Sequence, residues 1–140
     1  MAMLIHFFLE GRLPGLNEVI SANRANRYGG AKLKSGVTNS LTWQIRALEI
    51  EPLVGCHDYH FTWCEPDRRR DPDNIYSAVK FIFDALQKAG VIDNDGWTQV
   101  GNVLHTSVVS DRVGVDVRIM PHGALLGYAQ NVTEVVTNYD

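Results

Sequence analysis

The segment that most constrains this chain is DPDNIYSAVKFIFDALQKAG, residues 71–90, because it carries its own start and its own stop. Asp71 is a favourable N-cap residue, and Pro72 suits the first helical position, where a missing N–H costs nothing. Ile75, Val79, Ile82, Phe83 and Leu86 recur three or four residues apart, which makes one face of a helix apolar. Lys88 falls in the last turn, and Gly90 supplies the left-handed stop. The spacing predicts one helix over residues 72–89. At 100° per residue, Asp73, Ser77, Lys80 and Asp84 fall within about 60° of one another on its opposite face.

The other elements follow from the same two periodicities. Residues 3–12 read as a strand ended by Pro14 and Gly15. A short helix and then a loop are expected across NEVISANRANRYGGAKLK, broken at Gly29-Gly30. From residue 32 to 49 the apolar positions Leu33, Val37, Leu41, Ile45 and Leu48 repeat at helical spacing. Residues 54–64, rich in aromatics, predict a second strand. Residues 97–109 and 113–119 predict two more, joined through Ser110-Asp111-Arg112, with Val113, Val115, Val117 and Ile119 alternating with polar positions. The order β-α-α-β-α-β-β implies one α/β or α+β domain over 140 residues, a mixed sheet covered by helices, with residues 121–140 as a peripheral C-terminal extension.

Composition narrows the setting. The opening apolar run is short, broken by His6 and ended by Glu10, and has no basic flank, so no secretory signal is expected. No stretch approaches the roughly 18 apolar residues of a membrane span. The expectation is a cytoplasmic protein that does not engage a membrane. Cys56 and Cys64 lie on an extended segment that separates their Cα atoms by about 26 Å, so free thiols are expected rather than a disulfide. The same extension disfavours a zinc site built from Cys56, His57, His60 and Cys64.

The formal net charge of −3 argues against coating nucleic acid by charge alone. Its distribution is uneven. Between residues 11 and 47, Arg12, Arg24, Arg27, Lys32, Lys34 and Arg46 face only Glu18, a local charge of 6 − 1 = +5. That stretch is either a solvated face or a surface for a polyanion.

Two acidic clusters bracket the predicted helix: Asp71 and Asp73 before it, Asp93 and Asp95 in IDNDG after it. Each has an ordinary explanation. The first complements a helix N-terminus, Asn94-Asp95-Gly96 is turn chemistry, and Lys80 with Asp84 is an i, i+4 pair. IDNDG is not an EF-hand loop, because its twelfth position is Leu104 rather than an acid. An 18-residue helix spans about 27 Å, so the second cluster could rejoin the first only if the fold bends back or the helix is shorter.

Taken together, RRRDPDNIYSAVKFIFDALQKAGVIDNDGW resembles the core of the RusA family of Holliday-junction resolvases, small phage- and prophage-associated endodeoxyribonucleases. The matching positions are Arg70, Asp71, Asp73, Asn74, Lys80, Asp84-Ala85-Leu86, Ala89-Gly90 and Asn94-Asp95. The segment LPGLNEVISANRANRYGGAKLK is similar to the Pro- and Asn-containing region after the first strand in relatives. Two positions depart from the family pattern. Ser77 stands where the lysine falls in relatives, with Lys80 three residues later, and the final acidic pair is Asn94-Asp95.

The resemblance implies magnesium-dependent resolution of four-way branched DNA in recombination and repair, with Mn²⁺ as a substitute metal. It implies Asp71, Asp73 and Asp95 as metal ligands, and Lys80 near the attacking water or the scissile phosphate, its ammonium leaning back toward Asp73. Asp93, Asp84 and Asn74 would be auxiliary. Arg68, Arg69 and Arg70 would grip phosphates beside the cut, and Arg24, Arg27, Lys32 and Lys34 would hold junction arms. Paired nicks on two strands imply a homodimer. The alternatives are a nuclease of broader branched-DNA specificity and a catalytically inactive protein that binds branched DNA.

Overall fold

The computed structural model of the chain describes residues 4–130. Nine elements follow in the order β1 (Ile5–Glu10), α1 (Leu16–Ala25), α2 (Arg27–Ala47), β2 (His57–Glu65), α3 (Pro72–Tyr76), α4 (Val79–Lys88), β3 (Val100–Val109), β4 (Gly114–Pro121) and α5 (Leu125–Ala129) among the described residues. The class is the expected mixture of a mixed β-sheet with helices. Contacts divide it into two compact units, each drawn from separated stretches of chain. One holds the four strands and α5; the other, Leu13–Leu53 with Arg70–Asp95, holds α1 to α4.

In the sheet unit the strand order is β1-β4-β2-β3. β4 pairs antiparallel with both β1 and β2, while β2 and β3 run parallel. The strands joined through Ser110-Asp111-Arg112 are therefore not neighbours, because β2 lies between them. β2 is buried along nearly its whole length, as a strand paired on both edges should be. The register places Phe7, Phe61 and Val117 side by side, and likewise Leu9, Val115 and Trp63, so one sheet face is apolar.

The other face is polar and buried. His60, Thr62 and Asp116 are almost wholly shielded. The His60 ring meets Tyr128 Oη at 2.7 Å and Thr106 Oγ1 at 2.8 Å. Both ring nitrogens thus have protein partners, and Cys56 and Cys64 are free thiols. Asp58, also fully buried, staples the sheet to the turn that precedes α5. It accepts from the backbone N–H of Asn102 and Gly123 at 2.8 Å and of Leu125 at 3.2 Å, with His122 Nδ1 at 2.9 Å.

In the helical unit, α2 runs straight through Gly29-Gly30, where a break was expected. Asn26 caps it, accepting from Gly29 N–H through its side chain. At Gly30 α2 packs tightly against α1, since a Cβ there would lie 1.8 Å from Asn23 Oδ1. The pair of glycines serves helix packing rather than a turn.

The helix expected over residues 72–89 is two helices. Ser77 Oγ donates to the Asn74 carbonyl at 2.7 Å, and the chain tightens to i→i+3 bonds, Ala78 N to Ile75 O and Phe81 N to Ala78 O. A serine hydroxyl that bonds a preceding carbonyl competes with regular helix geometry. α4 then ends as the sequence indicates. Gly90 adopts φ +79°, and Val91 N–H reaches Leu86 O at 2.9 Å while Gly90 N–H reaches Gln87 O at 3.0 Å, the Schellman pattern. The expected C-terminal extension contributes α5; residues 131–140 lie outside the described residues.

Candidate functional site

All of the carboxylates in the two acidic clusters, with Lys80, belong to the helical unit. The site begins at the head of α1, where Gly15 has no side chain with which to cap the helix. Asn74 does that work from α3: its Oδ1 accepts from Asn17 N–H at 3.0 Å. A Cβ on Gly15 would lie 2.5 Å from the same Oδ1, so the glycine makes room for the distant cap. The asparagine of the D-P-D-N motif therefore has a structural role that its spacing did not reveal.

Arg70 braces the same corner. Its guanidinium donates to Leu13 O at 2.9 Å and lies 3.6 Å from Glu18 Oε1, and its side chain is only 9% exposed. Of the three consecutive arginines, this one is committed to the protein. Arg68 and Arg69 are exposed on the segment after β2, and Arg69 pairs with Asp67.

With α1 capped by Asn74, the motif's carboxylates face solvent. Asp71 occupies the N-cap position of α3, yet its side chain makes no capping bond, and it is exposed. Asp73 is exposed, with one oxygen accepting its neighbour Asn74 N–H at 2.9 Å. The cap reading of Asp71 is thus a matter of backbone position alone, and its carboxylate is left for other partners.

Lys80 stands one residue into α4, and its ammonium bridges two carboxylates: Asp95 Oδ2 at 2.7 Å and Asp84 Oδ1 at 3.1 Å. The expected lean toward Asp73 gives way to these partners. Hydrogen bonds to Asp95 and then Asp84 hold the Lys80 pKa above its ordinary value, so it is a cation at neutral pH. The loop returns to Lys80 because α4 is ten residues, about 15 Å, long, and because Val91 and Ile92 are buried just beyond the Gly90 reversal. Asp95 is only 24% exposed at its side chain, whereas Asp93 is exposed two residues earlier.

Ser77, Lys80 and Asp84 also line a cavity of about 230 Å³, together with Leu16, Phe81 and Lys34. Lys34 is the one residue of the expected arm-binding set that reaches this cavity. Arg24, Arg27 and Lys32 are exposed on α1 and α2.

Carboxylate oxygens suit a hard divalent cation. Among the described residues no group of three or more His, Cys, Asp or Glu is gathered closely enough to form a metal cage. Magnesium does not require one, because it keeps several waters and is commonly held by one or two carboxylates plus phosphate oxygens. The exposed, uncommitted Asp71 and the half-committed Asp73 are donors of that kind. Asp95 has one oxygen already taken by Lys80.

No protein-family model matches the chain, and no curated protein sequence matches it. Among the described residues no helix is long and apolar enough to cross a membrane.

Proposed function

We propose that the chain is a magnesium-dependent endodeoxyribonuclease that resolves four-way branched DNA in recombination and repair, acting as a homodimer whose two sites nick two strands. The observation that carries this reading is the 2.7 Å pairing of Lys80 with Asp95, which links the second acidic cluster to the helix that follows the first. The resemblance of residues 68–97 to the RusA core supplies the substrate class.

Asp71 and Asp73 would hold the ion, with Mn²⁺ as a substitute, and when bound it would neutralise charge on the phosphodiester and acidify a coordinated water. Lys80 contributes as a fixed cation. Its raised pKa makes it a poor base, so its ammonium serves as a hydrogen-bond donor to phosphate oxygens, oriented by Asp84 and Asp95. Arg68 and Arg69 are exposed cations for flanking phosphates, and Asn74 and Arg70 keep the motif's backbone against the head of α1.

The test is incubation of the purified protein with a synthetic four-way junction and Mg²⁺. Paired, symmetric nicks that disappear in Asp73→Asn are expected. Undiminished nicking by that variant would overturn the assignment of Asp73. Equal cutting of flaps and forks would broaden the substrate class, and a metal-independent gel shift without nicking would leave a protein that binds branched DNA and does not cut it.

A further inference from the structure

The longest helix of the chain has a composition its packing does not require. α2 carries Arg27, Lys32, Lys34 and Arg46 and not one carboxylate in its 21 residues. Its buried positions, Leu41, Thr42 and Ile45 among them, lie along one side. At 100° per residue, Tyr28, Lys32, Trp43 and Arg46 fall within about 60° of one another on another side. All four are exposed, Tyr28 at 84% and Trp43 at 71%. Large aromatics this open to water, spaced among cations, add nothing to the core.

We propose that this face of α2 binds unpaired DNA, with Tyr28 and Trp43 as platforms on which bases stack and the cations as contacts for the strand's phosphates. Charge and shape act together on this face. A helix bearing only positive charge attracts a polyanion, and the surface around Trp43 is extended by Lys88 of α4, whose ammonium is 3.0 Å from Asn39 Oδ1 on the same face. An aromatic face exposed beside cations is the combination by which proteins hold single strands, because every base has a π-face and every nucleotide a phosphate. Tyr28 and Trp43 are fifteen residues apart, about 22 Å along the axis, so the track spans several nucleotides. A duplex hides its base faces, whereas a strand left unpaired near a branch exposes them. The inference rests on the DNA-acting function proposed above and adds to it a second contact surface.

The experiment measures binding of full-length protein to fluorescein-labelled dT20, to duplex of the same length and to a four-way junction, alongside the nicking assay. Tyr28→Ala and Trp43→Ala should each weaken dT20 binding on the order of tenfold, the size of one lost base stack, while Tyr28→Phe, which keeps the ring, should not. The dependence of affinity on salt should be unchanged by the aromatic substitutions and shallower in Lys32→Ala. If both alanine variants bind dT20 as tightly as the wild type, or if the protein prefers duplex, the inference is overturned while nicking of the junction leaves the nuclease reading intact. If the wild type binds no DNA but binds vesicles containing anionic lipid, both readings fall and the face belongs to a lipid surface.

Discussion

Lys80 near the start of α4 and Asp95, seven residues beyond its end, are joined by a 2.7 Å charge-assisted hydrogen bond. Residues fifteen apart in sequence meet because α4 is short and the chain reverses at Gly90 onto the buried Val91 and Ile92. The pair is partly exposed, so its contribution to stability is small, and its importance is positional.

Replacing Lys80 with Ala should therefore change folding stability by only about 0.2–1 kcal/mol while abolishing junction nicking and sparing junction binding. Chemical denaturation, a gel shift and the nicking assay on one preparation check all three. Ser77→Ala, which removes the hydroxyl bond to Asn74 O and no charge, should keep its activity. If Ser77→Ala and Lys80→Ala are equally active, Lys80 has no part in cleavage.

Asn74 and Gly15 should behave as one unit. Asn74→Ala removes the α1 cap and should cost about 0.5–2 kcal/mol. Gly15→Ala should also destabilise, because the new Cβ meets the Asn74 amide. In the double variant that clash is gone, so the loss should be less than the sum of the two single losses. Additive losses in a urea-denaturation cycle would show that the two positions do not touch.

Asp58 should make the sheet unit sensitive to strong acid. Burial opposes its ionisation, but the Asn102 N–H, His122 and the N–H groups of Gly123 and Leu125 together outweigh that and hold its pKa at about 2, against an ordinary 3.8. A depressed carboxyl contributes stability that is complete above the ordinary value and disappears as pH falls from near 4 to near 2. Asp58→Asn should cost on the order of 2 kcal/mol at pH 7, and the gap between the variant and the wild type should close toward pH 2. Urea midpoints across that range provide the measurement.

His60 acts in a higher window. Burial, then the nearby Arg118 charge, lowers its pKa from 6.5 to about 4, so the folded protein holds it neutral where the unfolded chain would protonate it. Stability should decline as pH drops from about 6.5 to about 4 and show no further contribution from this residue below that. A substitution that cannot titrate, His60→Gln, should flatten the slope of melting temperature with pH between those values, even if it lowers stability throughout.

Local chemistry alone was enough to place most of the elements. Asp71, Pro72 and Gly90 bound the α3–α4 region, and the alternating valines of β4 mark a strand, because caps, turns and periodicity depend on neighbours within a few residues. Where a local signal has two uses, near neighbours alone do not select between them. Gly29-Gly30 reads as a break, yet Gly29 lies against Asn26 and Ala22 and Gly30 against Asn23; Ser77 reads as a helical position and is where the helix divides. The strands before and after Ser110-Asp111-Arg112 adjoin in sequence but are kept apart by β2, since pairing is decided by the whole sheet.

The candidate site divides along the same line. Which groups exist is legible in the residues: two acidic clusters, a lysine on the helix between them, a basic stretch ahead, and caps that orient the helix ends. Their partners are set by packing. It gave Lys80 to Asp95 and Asp84, Arg70 to Leu13 and Glu18, and Asn74 to the head of α1, and it left Asp71 uncommitted at the surface. The difference is one of range. A cap or a hydrophobic period is satisfied within a turn or two of chain, whereas a side-chain hydrogen bond between residues fifteen or fifty-seven apart forms only after packing has fixed both backbones.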